Sequence, residues 1–323
     1  MFVRREVEHN IRMHTPLAFL NGRFVPAAEL TIPAYDAGFV LGATVSEQLR
    51  TFGGKLFRVD DHLARLRRGL EITGIEPDVT LEQLAAWAAE LADANHKFLD
   101  PADDLGLSIF ITPGPYGTFA PTHVPRRPTI GMSTYLLPFH LWAEKYERGE
   151  HLVTSTVRQV PEASWPREMK CRSRMHYYLA DKEVRERVPG ARALLLDEHG
   201  HVNETSTANI VGFVDWGRNG AILETPRGES LWGVSLKAVL DLAYRRFEIR
   251  DYAQRRDEPE RVAAEWREVW LTSTPPCMLP VVKIDAAEIG DGRPGPMFKK
   301  LLGAWGEEVG LDIAAQARHF ATR

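Results

Sequence analysis

Met169-Lys170-Cys171-Arg172-Ser173-Arg174-Met175-His176-Tyr177-Tyr178-Leu179-Ala180 is followed, one element later, by Leu194-Leu195-Leu196-Asp197-Glu198-His199-Gly200-His201-Val202-Asn203-Glu204-Thr205-Ser206-Thr207-Ala208-Asn209-Ile210. The second stretch reads as a hairpin: an apolar run ending at Leu196, a polar turn over Asp197 to Gly200, and a return through Val202-Asn203-Glu204. Glu204 thus ends a strand beside small hydroxyl residues and Asn209, which leaves room for a ring to approach. Taken singly, lysines and glutamates are ordinary solvated residues. Taken together, Lys170 offers an amine that condenses with an aldehyde, and Glu204 an acid that keeps a pyridine nitrogen protonated. Those are the two protein groups that pyridoxal phosphate chemistry needs.

At these residues the chain resembles the fold type IV pyridoxal phosphate enzymes, the group of branched-chain aminotransferases, D-amino acid aminotransferases and aminodeoxychorismate lyase. The family pattern has a lysine before a helix, then Asp-x-x-Gly-x-[Val/Ile]-x-Glu with a downstream Asn; Lys170 and Glu204 fall on those positions. The resemblance implies that Lys170 binds the cofactor covalently and shuttles the substrate Cα proton, and that Glu204 pairs with the pyridine nitrogen. It also assigns the phosphate. Arg65, in His62-Leu63-Ala64-Arg65-Leu66, matches the family's phosphate-binding arginine; Leu231, Val234 and Ser235 match its Leu-x-Gly-[Ile/Val]-[Thr/Ser] helix opening; Ser273 and Thr274 match its phosphate-side hydroxyls. Singly, these blocks read as an amphipathic helix, an N-cap and a strand end. Their order along one chain, from about Phe19 to Val282, carries the resemblance. Arg172 and Arg174 lie close enough in sequence to lower the lysine pKa by their positive field, or to serve the start of the following helix.

The substrate side departs from the pattern. Around Tyr35-Asp36-Ala37-Gly38 and Ser46-Glu47-Gln48-Leu49-Arg50, the family has Asp-Arg-Gly and an aromatic residue before the glutamate; here Ala37 and Ser46 stand instead. Loss of an aromatic wall enlarges or polarises a pocket. Leu236 stands where many members carry an arginine. The loop Thr112-Pro113-Gly114-Pro115-Tyr116-Gly117-Thr118 lacks the arginine that D-amino acid aminotransferases place there to bind the substrate carboxylate. Tyr35, Ser46, Arg50, Tyr116 and Arg174 are the expected substrate-binding residues. Lys170-x-x-Ser173-Arg174-Met175 looks like the lyase's Lys-x-x-Asn-Arg-Leu, whereas Gly42 to Arg50 resembles the branched-chain type.

The 323 residues, 44% hydrophobic with a formal net charge of -4, describe an ordinary folded chain long enough for two domains. No basic tract argues for nucleic acid, and Cys171 and Cys277 are too few and too isolated for a disulfide framework or a metal site. A cytoplasmic location is the default expectation, and the charged first residues exclude a signal peptide or membrane span as the reading of that stretch. Periodicity predicts hairpins at Asn21-Gly22 and Gly53-Gly54 and helices at Val59 to Ile72, Leu81 to Phe98, Ser173 to Arg187, Val234 to Arg246, Glu258 to Glu265 and Met297 to Trp305. The organisation expected is α+β: an N-terminal extension (1–16), a small α+β domain (17–137), a linker (138–143) and a larger domain (144–323). The resemblance makes these the family's small α/β sandwich and larger pseudobarrel, with the cofactor in the cleft between them. It further implies a homodimer. The function expected is ping-pong transfer of an amino group from an amino acid, branched-chain-like or hydrophobic and of the L series, to a 2-oxo acid, with pyridoxal 5'-phosphate as cofactor. A lyase, a D-amino acid aminotransferase and a non-catalytic binding protein on the same fold are the alternatives.

Overall fold

The computed structural model describes residues 15–215, 221–226, 230–247, 249 and 251–323. Of the expected N-terminal extension, residues 1–14 lie outside the described residues. The chain divides into two compact units: one up to Leu137 that also takes Met169–Ser173, the other made of Pro138–Glu168 and Arg174–Arg323.

The first unit is one antiparallel sheet with two long helices packed on a single face. Its strands are β1 (Leu17–Leu20), β2 (Arg23–Pro26), β3 (Val45–Phe52), β4 (Lys55–Leu56), β5 (Leu105–Thr112) and β6 (Thr129–Leu136), in the order β2-β1-β6-β5-β3-β4. The β1–β2 turn is Asn21-Gly22, both at positive φ, which only such residues adopt cheaply. Alternation along β5 puts Leu107, Ile109 and Ile111 into the core and leaves Ser108, Phe110 and Thr112 on the other face. Helices α1 (Val59–Thr73) and α2 (Leu81–His96) bury Leu63, Leu66, Leu70, Leu84, Ala88 and Leu91 against that core. A capping box, Thr80 with Gln83, starts α2. Near its end the buried Asn95 accepts from Leu17 N (2.7 Å) and donates to Leu17 O (2.8 Å) and Thr134 Oγ1 (2.7 Å), pinning the helix to β1 and β6.

In the second unit, β7 (Glu150–Thr154), β8 (Arg192–Leu196), β9 (Val202–Thr205), β10 (Ala208–Asp215), β13 (Glu268–Ser273) and β14 (Cys277–Ile284) close into a ring. The pairings run β10-β13-β14-β7-β8-β9 and return from β9 to β10. Strands β11 (Ala221–Pro226) and β12 (Asp251–Arg255) continue the sheet from β10, and β15 (Ala287–Glu288) pairs with β14. Helix α3 (Met175–Arg187) covers β7 and β8 through Ala180 and Val184. The longer helices that remain are α4 (Val234–Phe247), α5 (Pro259–Glu265), α6 (Pro296–Val309) and α7 (Ile313–His319). The start of α6 is capped from a distant strand: Glu268 accepts from Met297 N and Phe298 N, both at 2.8 Å. The segment expected to link two domains, 138–143, forms a helical turn with Phe139, Trp142 and Ala143 buried. No helix among the described residues is long and apolar enough to cross a membrane.

Candidate active site

In the first unit, the expected cofactor lysine sits on the edge of β3. Ser46 N donates to Lys170 O at 2.8 Å, and Cys171 bridges Val45. Period-two alternation puts Glu47 on the helix-facing side of β3, between Val45 and Leu49, where it is fully buried. A carboxylate there requires partners, and α1 supplies them: Arg65 Nε donates to Oε1 (2.7 Å), Arg65 Nη2 to Oε2 (2.8 Å), and His62 Nδ1 lies 2.8 Å from Oε2. Burial alone would raise the Glu47 pKa; the charge and hydrogen bonds of Arg65, with His62, outweigh it and hold the carboxyl well below the usual carboxylate range. His62 is driven the other way from a free histidine: burial lowers its pKa, and the Arg65 and Lys170 charges lower it further against the pull of Glu47. The lowered pKa favours the neutral imidazole, in which Nδ1–H would donate to the Glu47 carboxylate. Sequence reasoning gave Arg65 the phosphate and missed that Glu47 orients it.

The expected substrate residues of this unit fall into two places. Tyr116 N donates to Tyr35 O at 2.8 Å, so the Tyr35 and Tyr116 segments meet, next to the Asp36–Pro115 bridge. Asp36 fixes this corner by accepting from Gly38 N and Thr129 Oγ1, each at 2.7 Å. Ser46 is buried on the helix-free face of the sheet, and its Oγ makes no hydrogen bond. Arg50, on the same face of β3, is 1% exposed, with its guanidinium 4.0 Å over the Phe52 ring and 3.9 Å from Asp104. These contacts tie β3 to the Asp104 segment that leads into β5.

In the second unit, Glu204 on β9 is met by two residues that sequence reasoning had not assigned. Tyr177 Oη donates to Glu204 Oε1 at 2.6 Å, and Gln159 Nε2 bonds the same oxygen as well as Tyr177 Oη (3.0 Å). Burial and the neighbouring Glu204 charge push the Tyr177 hydroxyl well above its ordinary pKa, so it remains a donor. Register places Glu204 opposite Asn209, and Asn209 opposite Thr272, so the three side chains share one face across β9, β10 and β13. Asn209 Nδ2 donates to Leu231 O at 2.7 Å, tying the approach to α4 onto that row. Gly233 permits this contact, since a Cβ there would lie 2.2 Å from Asn209 Oδ1. Val234 and Ser235 begin α4, both buried. At the end of β13, Ser273 Oγ donates to Thr207 O at 2.7 Å, with Thr274 next to it. Arg174 precedes α3, and its charge adds to burial in lowering the pKa of His176.

The sequence pattern described as Amino-transferase class IV matches residues 44–284. The chain belongs to the class IV aminotransferase family. It is similar to the D-alanine aminotransferase of Bacillus licheniformis, 25% identical over 291 residues that cover 87% of this chain and 93% of that one. In fold, it is similar to the branched-chain amino acid aminotransferase of Escherichia coli (TM-score 0.79, 20% identity, 91% and 94% of the two chains covered). A second such enzyme, from T.th. and solved with N-(5'-phosphopyridoxyl)-L-glutamate, gives a TM-score of 0.77 at 22% identity, covering 92% and 94%. Class IV aminotransferases are pyridoxal-phosphate-dependent, and the donor set of this one suits the cofactor. In the second unit a buried acid, a helix N-terminus and strand-end hydroxyls adjoin one sheet row, and in that row Thr272 Oγ1 is buried without a hydrogen bond. As an aminotransferase it takes an amino acid and a 2-oxo acid as substrates.

Proposed function

We propose that this class IV aminotransferase moves the amino group of an apolar L-amino acid to a 2-oxo acid in two half-reactions of a ping-pong cycle. The observation that supports this reading is a cavity of about 500 Å³ in the first unit, walled by Ile32, Ala34, Phe39 and Phe110. Apolar walls favour an apolar side chain by roughly 25 cal/mol for each Å² removed from water. The Thr112 to Thr118 loop beside it, without arginine, favours the L series.

When bound, the cofactor supplies an electron sink for the substrate Cα. Lys170 holds it and, as the free amine, moves the Cα proton. Glu204 keeps the pyridine nitrogen protonated, and Tyr177 and Gln159 hold that carboxylate in place. In the second unit the amides of Val234 and Ser235 and the hydroxyls of Ser273 and Thr274 would take the phosphate, with Leu231 shaping the turn that presents the amides; in the first unit Arg65 is the phosphate candidate. Tyr35, Ser46, Tyr116, Arg50 and Arg174 belong to the substrate side, with Tyr35 and Tyr116 the best supported because their segments meet. The enzyme acts as a cytoplasmic homodimer, a reading supported by two cysteines that form no disulfide and by the exposed Phe39, Leu41 and Phe119 of the first unit.

The test is the visible spectrum of the cofactor-loaded protein during titration with L- and D-amino acids. Bleaching by apolar L-amino acids, reversed by 2-oxo acids and lost in Lys170→Ala, is the expected result. Bleaching by D-amino acids alone overturns the stereochemical reading. Release of a 2-oxo acid with no acceptor added would identify the lyase alternative suggested by Lys170-x-x-Ser173-Arg174-Met175.

A further inference from the structure

The helix-free face of the first sheet is laid out in three rows across β3, β5 and β6. They are Ser46, Phe110, Gly131; Gln48, Ser108, Ser133; and Arg50, Gly106, Tyr135. Directly opposed residues of an antiparallel sheet project to the same side, so each row is also a row of side chains. Two of the rows are bulky in one place and bare in the next. A Cβ on Gly131 would lie 2.0 Å from the Phe110 ring, and one on Gly106 would lie 1.9 Å from the Tyr135 ring. Each ring therefore lies across a glycine. Between the two rings the middle row has a floor of two small hydroxyl residues, Ser108 and Ser133.

Arg172 reaches that floor. Its Nη2 donates to Ser108 Oγ. Arg172, Ser108, Ser133 and Thr112 line the same cavity as the apolar Ile32 and Phe39, and among the described residues lining it Arg172 alone is charged. A planar guanidinium beside a hydroxyl, in a cavity that also has Ile32, Ala34, Phe39 and Phe110 as walls, has the chemistry of a carboxylate seat. One cation matches one carboxylate, and a second carboxylate would lose its hydration without gaining a charge partner. The position also suits the reaction. Arg172 lies two residues after Lys170, whose carbonyl is bonded to Ser46 N, and Ser46 stands in the row next to Ser108.

We propose that Arg172, with Ser108, seats the substrate carboxylate, and that this cavity selects apolar monocarboxylates over amines and dicarboxylates. The inference rests on the amino acid substrate reading above.

Valerate and its uncharged amide, valeramide, are the probes, titrated into the cofactor-loaded enzyme by calorimetry. Wild type should bind valerate more tightly than valeramide. Arg172→Gln should weaken valerate on the order of 10- to 100-fold, the factor carried by a charge-assisted hydrogen bond, and bring it level with the amide. Arg172→Lys should recover part of the loss, and Ser108→Ala should weaken valerate by less than Arg172→Gln. Thermal melting of each variant separates lost binding from lost folding; Arg172 is exposed, so its variants should melt as wild type does. Equal valerate binding by wild type and Arg172→Gln, or no binding by either, overturns the proposal. Amino acid turnover that survives Arg172→Gln with unchanged KM sinks the seat but leaves the aminotransferase reading intact. Arginine-dependent valerate binding without turnover of any apolar amino acid does the reverse.

Discussion

Glu47→Gln isolates the buried charge cluster of the first unit with almost no change of volume. The carboxylate is fully buried, and its two oxygens are not equivalent. Oε2 receives Arg65 Nη2, His62 Nδ1 and, at 3.3 Å, Gln48 N, whereas Oε1 faces Arg65 Nε. A glutamine will therefore keep its oxygen at the Oε2 position and turn its amide NH2 toward Arg65 Nε, putting donor against donor. The Arg65 charge then loses the Glu47 carboxylate, and with its side chain 12% exposed it regains only part of its hydration. Breaking a buried pair on one side costs about 3–5 kcal/mol, and the partial exposure of Arg65 puts the expected loss near the lower end, about 3 kcal/mol. At roughly 2–4 °C per kcal/mol, melting should fall by roughly 6–12 °C. The assay is urea unfolding with Glu47→Leu, Arg65→Met and the double variant alongside. The double variant should be more stable than either single one, because it removes both charges together. A Glu47→Gln loss below about 1 kcal/mol, or additivity in the cycle, would show that the pair is solvated and the reasoning wrong.

Three further outcomes are expected. The folded-state pKa of His62 is depressed, mainly by burial, so the stability of its neutral form is fully present above its ordinary value of 6.5 and declines as pH falls below it. Urea midpoints should therefore fall between about pH 7 and pH 5, and His62→Gln should flatten that slope. Tyr177→Phe removes the 2.6 Å donor to Glu204 and should lower kcat roughly tenfold, about 1.4 kcal/mol, leaving KM for the 2-oxo acid little changed in steady-state assays. Gly233→Ala would drive a methyl group to 2.2 Å from Asn209 Oδ1, displacing Asn209 from Leu231 O. Overpacking of about 1–3 kcal/mol there should appear as weaker cofactor retention on dialysis, with the melt of the cofactor-free protein falling by only a few degrees.

What was legible in the sequence is what is local. Asn21-Gly22 and Gly53-Gly54 make their turns, the apolar spacing makes α1 and α2, and the Asp197 to Gly200 turn makes β8 and β9. Strands whose sequence carried a contrary local signal went unread. Proline is disfavoured inside a sheet, yet Pro280 sits in β14 opposite Trp270; polar Asp251–Arg255 runs parallel to β11, where tertiary pairing overrides composition. Helix α7, a short element after a glycine stop, was also missed. In the candidate site, Lys170, Glu204 and Arg65 came from motif order, but their partners lie far along the chain: Gln159 is 45 residues from Glu204, and Arg172 is 64 residues from Ser108. Such pairs leave no periodicity to read.

The case of Ser46 shows why this matters for specificity. A serine in place of an aromatic residue reads, in sequence, as a lost wall and a wider pocket. On the sheet, Ser46 shares its row with Phe110, whose ring lies over Gly131, and Tyr135 lies over Gly106 two rows away. The aromatic wall that the sheet gives the cavity is thus supplied by Phe110 of β5 rather than from β3, and Gly131 of β6 admits it. The cavity is polar where Arg172 reaches Ser108, and Phe110 with Ile32, Ala34 and Phe39 gives it apolar walls. A single position could not have disclosed that arrangement, because the wall and the space for it come from different strands.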